Sequence, residues 1–370
     1  MKKLFLLSLL ATQLMSVSMQ AQTEVAPFRP GVTIDGVNYF LPKTRLRIAL
    51  VAEKTIVKPG EYAAYANRYL RLNNVPMETS ETWTLKELQV TPYGVPDSTK
   101  AFNIKLKPKT SAPFVTLTDE GLLLAINAEA EEEGLPALPQ PVAAPKLLNG
   151  RDYMTQEILA AGSTAKMAQL TAEEIYDIRD SRNALVRGEA DNMPKDGAQL
   201  RLMLDNLDLQ SRALEAMFKG QTVTSTEVMV LDFEPQALDI TVPEEEAYTE
   251  QRTMLCRFSQ RLGLVDNDDL SGEPIWISIK PLGSLPQYQA NPESDKRKRK
   301  LEQGVRVNIP ARAQVTISTS SKELTRMEMP IAQFGTTEIL SDILFNKKMS
   351  TTVTIHQHTG SVWEVGRAED

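Results

Sequence analysis

Only two histidines occur in the 370-residue chain, His356 and His358, and their spacing is the one that comes nearest to a chemical constellation. In an extended strand, residues two apart point to one face, so the imidazoles could give two ligands to one metal ion. Two ligands do not complete a site, and no third stands at a short interval beside them. Solvent-facing residues where a strand runs into a turn account for the same spacing. A catalytic triad would have to use one of them, yet Ser361 lacks the glycine-flanked strand-to-helix turn of a nucleophile elbow. Carboxylates gather at Asp266, Asp268, Asp269 and Glu273. Glycoside chemistry needs two carboxylates held at a fixed separation across a bond, on a scaffold lined with aromatics. Calcium needs a turn glycine and a distal glutamate at spacings not followed here. A solvated turn collects the same residue types for backbone reasons. No catalytic residue, cofactor or metal follows from these residues.

The sharpest charge feature is Lys296, Arg297, Lys298, Arg299 and Lys300, in a loop that also holds Pro286 and Pro292. It is a surface-binding candidate for anionic lipid, phosphorylated glycan or an acidic protein, or else a solvated loop, since so short a run gains little at physiological salt. The net charge of −7 argues against nucleic acid as a partner. Tyr62, Tyr65 and Tyr69 recur at helical spacing, which serves either a ligand groove or core packing. The single cysteine, Cys256, sits in an apolar strand-like run and reads as a core residue. There is no Walker-type phosphate loop, dinucleotide fingerprint or Cys-x-x-Cys pair.

The N-terminus points to an address. Lys2 and Lys3 precede a mostly apolar stretch from Leu4 to Leu14, too short to span a bilayer, and the chain turns polar at Gln20, Ala21 and Gln22. Residues 1–21 are expected to be a signal peptide of the Sec pathway, with the mature chain starting at Gln22. No cysteine follows the apolar stretch, so no lipoprotein anchor is expected. No later segment is apolar for long enough to cross a membrane as a helix. With one cysteine there is no internal disulfide framework, and the fold must rest on apolar burial.

The elements that would carry these residues fall into three pieces. Residues 22–128 show short alternating runs such as Arg45, Leu46, Arg47, Ile48, which predict half-buried antiparallel strands, with one helix after Pro59 and Gly60. Residues 129–150 are rich in acids and prolines and read as an extended linker. Residues 151–220 predict a helical hairpin: Thr171 and Glu174 have capping-box spacing, Gly188 to Gly197 is a turn and Gly220 a stop. A lone hairpin cannot bury both apolar stripes, so it must pack on the β pieces or on a partner. Residues 221–370 return to period two, as a β-sandwich-like domain. The expected class is therefore α+β, mainly β: two antiparallel β domains of sandwich or open-barrel type with an α-helical hairpin between them.

Three stretches resemble a domain-of-unknown-function family of exported Bacteroidota proteins. They are Tyr39 to Thr44 with Lys58 to Tyr62; Ala172 to Arg182 with Met193 to Gly197; and Pro330 to Gly335. The resemblance implies a periplasmic location, or the inner face of the outer membrane, and supplies no catalytic residue, ligand or partner. The function expected is a non-enzymatic binding or scaffold component of the cell envelope, with an envelope protein or glycan as partner. The alternative is a periplasmic glycan-binding or glycan-active protein, which would need a cleft lined by aromatics such as Trp83, Trp276 or Trp363.

Overall fold

The computed structural model describes residues 24–27, 36–105, 114–135, 137–238, 250–283, 304–341 and 351–367. The expected signal peptide and the basic run Lys296 to Lys300 lie outside the described residues, as does most of a strand expected at Leu238 to Val242. The class is α+β, mainly β, and among the described residues the antiparallel strands form three sheets, none closed into a barrel.

The first sheet orders β1 (Glu24–Pro27), β3 (Ser80–Lys105), β2 (Val37–Lys58) and β6 (Gln221–Phe233). The second orders β11 (Glu323–Ser341), β10 (Gly304–Ser318), β9 (Glu273–Pro281), β7 (Gln251–Ser259) and β8 (Gly263–Val265). The third orders β13 (Val362–Arg367), β12 (Thr351–Ile355), β5 (Leu123–Ile126) and β4 (Val115–Leu117). Strands from both sides of the linker therefore share sheets: β2 pairs with β6, and β12 with β5.

Two apolar cores follow from this. In the first, Leu46, Ile48 and Leu50 of β2 face Ile275, Ile277 and Ile279 of β9 and Val315 and Ile317 of β10. In the second, Tyr39 and Leu41 of β2 and Val305 and Val307 of β10 meet Leu123, Ile126, Val353 and Ile355 of the third sheet. Strands β2 and β10 thus run through both cores. Between the cores β2 bends at Pro42, and its inward set changes from odd to even numbers, as a register irregularity requires. The register passes from Phe40↔Ala101 to Pro42↔Pro96, so Leu41 alone opposes Asp97 to Lys100. In the second long pair it passes from Ile309↔Thr336 to Ala311↔Ile331, so Pro310 alone opposes Ala332 to Gly335. The two pairs carry the same one-against-four irregularity at the same joint.

Buried polar groups hold that joint. Thr44 donates from its hydroxyl to the His358 carbonyl at 3.0 Å and accepts from the Ala332 N–H at 3.0 Å. The Asn308 side chain donates to the Pro42 and Thr359 carbonyls at 2.9 and 3.0 Å. Gln333 exchanges two hydrogen bonds with the Thr44 backbone. Each spends a side-chain amide or hydroxyl on backbone that the irregularity takes out of the ladder, as buried polar groups must.

The third cluster is helical. A short helix α1 (Ala66–Leu70) follows a turn of 3₁₀ helix at Ala63–Tyr65, α2 is Gln156–Leu159, and the hairpin is α3 (Thr164–Arg187) with α4 (Gly197–Lys219). The helix after Pro59 packs on the hairpin, with Tyr62 and Ala66 buried against Ala172, Ile175, Leu214 and Phe218, and not on the first β stretch as its place in sequence suggests. Helix α3 begins earlier than Thr171. Ser163 is its N-cap, accepting from the Lys166 N–H, and Thr171 is buried mid-helix, donating back to the Met167 carbonyl at 2.8 Å. A threonine hydroxyl serves either role, and here burial decides for the second. The stops fall where the glycines stand, Gly188 in the left-handed region and Gly220 after α4.

Candidate functional site

The hairpin stands on the end of the first sheet, because β2 ends at Lys58 where β6 begins at Gln221, directly after Gly220. Its base is locked there. A Cβ on Gly60 would lie 2.3 Å from the Met217 carbonyl oxygen, so only glycine admits the contact that lets the Tyr62 N–H donate to that carbonyl. Arg151 pairs with Glu61, and Arg179 and Lys219 both pair with Glu215.

Farther along, the support ends while the apolar pattern continues. On α4, Leu202, Leu209 and Ala216 are seven apart and share a face. Ala216 is buried at the base, Leu209 is half-buried, and Leu202 is 63% exposed. Val186 on α3 is 60% exposed, and Met193 and Met203 near the tip are open as well. Between the helices lies a cleft of about 600 Å³, walled by Ser181, Ala184 and Leu185 on α3 and Met203, Asn206 and Leu207 on α4. The lining is mixed, with Ala184, Leu185, Met203 and Leu207 apolar and Ser181, Glu189, Asp191, Asn192 and Asn206 polar, which suits an amphipathic occupant. Residues 181–207 carry Arg182, Arg187, Lys195 and Arg201 against Glu189, Asp191, Asp196 and Asp205, which leaves the tip without net charge. Neither wall of the cleft was foreseen as a site. Met203 and Leu207 belong to the apolar face of α4 that helical spacing predicts to be packed, and only the structure shows that face opening toward the tip.

The residues singled out by type come together in part. Strand β12 ends at Ile355, so His356 and His358 meet across the following turn and not along a strand, with ring centroids 5.5 Å apart. His356 also packs against Trp363 at 4.0 Å. Burial lowers both imidazoles from the ordinary histidine value, and His356 acts in the same sense on His358, while Glu133 works in the opposite sense on both. Among the described residues no group of three or more His, Cys, Asp and Glu side chains is placed to hold a metal.

The acidic stretch caps its own turn. Asp269 accepts from the Ser271 N–H at 2.9 Å, and Ser271 holds its carboxyl below the usual range. Glu273 instead accepts from the Ser321 N–H and hydroxyl. The first bond is local and the second ties β9 to the turn after β10, and neither aims two carboxylates across a cleft. Cys256 is buried in the first core, which pushes its thiol up to about 12. Tyr62 is fully buried beside Phe218, and Tyr69 and Tyr176 are tied to backbone between α1 and α3. The tryptophans do not share a cleft: Trp83 is buried under Gly263 with Lys54 over its ring, Trp276 lies under Arg252, and Trp363 is 66% exposed on the third sheet. A further cluster, absent from the sequence reading, lines the outer face of the first sheet, where Arg47 pairs with Asp232 and Lys43 and Arg45 with Glu234. Exposed pairs of this kind contribute little stability.

Compared with known families, residues 35–363 match the model described as Domain of unknown function (DUF4831). No curated protein and no solved structure matches the chain. Among the described residues no helix is long and apolar enough to cross a membrane.

Proposed function

The chain belongs to the family of Domain of unknown function DUF4831, and from that premise we propose that it is an exported component of the cell envelope that works by binding, its hairpin arm receiving an amphipathic helix of a partner protein. The observation that carries this is the distal half of the hairpin, where Val186 and Leu202 stand in solvent beside an open cleft. Two helices with a cleft between them offer the seam that an amphipathic helix fills. The absence of net charge at the tip favours a protein partner over anionic lipid or phosphorylated glycan.

Export through the Sec pathway to the periplasm, or to the inner face of the outer membrane, of a Bacteroidota cell is supported by the basic and apolar run at the N-terminus and by the resemblance noted above. Fractionation of the host tests the address. A chain starting at Gln22 in osmotic-shock fluid or outer membrane is expected, and a chain retained in the cytoplasm with Met1 overturns it.

A photo-crosslinking residue placed at Leu202 in the host, with a second at Glu328 as a distant control, tests the arm. The expected result is one protein crosslinked at position 202 and not at 328, through a peptide of amphipathic helical pattern, and lost in the Met203→Glu variant. Crosslinks only to lipid, only to a second copy, or equally at both positions would overturn the assignment.

A further inference from the structure

The third sheet presents a surface of different chemistry. Among the described residues strand β13 is an edge strand, and its register with β12 passes from Thr354↔Glu364 to Ile355↔Val362, which leaves Trp363 without a partner on β12. It is the extra residue of a β-bulge, and bulges re-aim side chains. Val362 keeps its place against the second core, whereas Trp363 turns outward onto His356, the rings crossing at 81°. The result is a large aromatic ring held in solvent at 66% exposure by the backbone itself.

The surroundings of that ring are polar and fixed. The His356 N–H donates to the Ser361 carbonyl at 2.9 Å, and its own carbonyl accepts from the Gly360 N–H at 2.7 Å. The Glu133 N–H donates to the Gln357 side chain at 2.7 Å, which brings the end of the acidic linker stretch beside both imidazoles. A pyranose ring has C–H faces that stack on an aromatic face and hydroxyls that both donate and accept. An open indole next to imidazole nitrogens and a carboxylate meets both needs. Glu133 and Glu364 repel carboxylated or phosphorylated sugars, so the ring has to be uncharged. We propose that Trp363, His356, His358 and Glu133 form a subsite for a neutral sugar ring, with the indole as its platform.

The subsite shares no residue with the hairpin cleft, and the two assignments fail separately. The test uses the mature chain with a panel of neutral hexose and N-acetylhexosamine oligosaccharides, and oligogalacturonate as the acidic comparison, read by saturation-transfer NMR and tryptophan fluorescence. At least one neutral oligosaccharide is expected to bind and to shield Trp363 from quencher, while oligogalacturonate does not. Trp363→Ala should weaken that binding about tenfold with an unchanged melting temperature, Trp363→Phe should keep part of it, and Leu202→Glu should leave it intact. Absence of binding across the neutral panel at millimolar concentration overturns the proposal, as does wild-type affinity in Trp363→Ala.

Discussion

Burial keeps both imidazoles of the histidine pair below the ordinary value of 6.5, and His358 is lowered further by His356. The neighbouring carboxylate of Glu133 raises both, without cancelling the burial. A histidine whose folded pKa is depressed is neutral in both states above the unfolded value, so stability is full there. As pH falls through 6.5 toward the folded value, the unfolded chain binds more protons and stability is lost. The melting temperature is therefore expected to fall between about pH 7 and 5, and to fall less in His358→Gln, which keeps the backbone carbonyl bound by Thr44. Equal pH slopes in the two proteins would remove the histidine from the account. The sequence made the pair visible because it holds the only two histidines, and of its two readings, ligands side by side on a strand or residues where a strand runs into a turn, the structure shows the second. What puts them in the joint is the buried turn they belong to, held by Thr44 and Asn308 from strands more than fifty residues away or on the far side of the chain.

Two long strand pairs with the same one-against-four irregularity bend at one joint, and a glycine makes the second bend possible. A Cβ on Gly335 would lie 1.8 Å from the Ile309 carbonyl oxygen, and backbone cannot yield as a flexible side chain does. Gly335→Ala is expected to cost about 2–3 kcal/mol, read as a lowered denaturation midpoint; a shift within error would mean the joint relaxes around it. This is also where strand reading from sequence fails. Runs Val37 to Leu41 and Arg45 to Val57 predict two strands because Pro42 stands between them, yet they are one, β2. Pro92, Gly94 and Pro96 lie inside β3, and Pro330 and Gly335 hide β11 altogether. Proline removes a ladder donor, and a strand tolerates it where pairing is already interrupted. At the bends, Pro42 and Pro310 stand where the partner strand bulges. Alternation in β12, by contrast, is unbroken, and in β9 Ile275, Ile277 and Ile279 keep to one face, so both strands are legible in the sequence.

At the scale of the whole molecule, the acidic and proline-rich stretch carries no helix or strand among its described residues before Gly150, and it is not a free tether. Val142 exchanges two hydrogen bonds with Thr226, and Leu148 exchanges two with the Gln221 side chain, so the segment meets β6, which among the described residues is the edge of the first sheet, and blocks that edge against further strand addition. Sequence cannot disclose this, because the contacts are two pairs of polar bonds to a strand 73 and 84 residues later. Across the strap, β2 pairs with β6 over thirteen residues of each strand, and β5 with β12. Chain continuity through residues 134–141 is therefore not what holds the halves together. With a specific protease site inserted after Gly134 and cut, the two fragments are expected to co-elute at the size of the intact protein. They should unfold together in one transition of the β core, since each contributes strands that bury the other's apolar faces. Fragments that separate on a sizing column, each retaining its own strand signal, would show instead that the two stretches fold independently and only dock. The joint residues make the first outcome the expected one: Thr44 on one side of the cut has its hydroxyl shared between Ala332 and His358 on the other, and separation would leave all three groups without their partners.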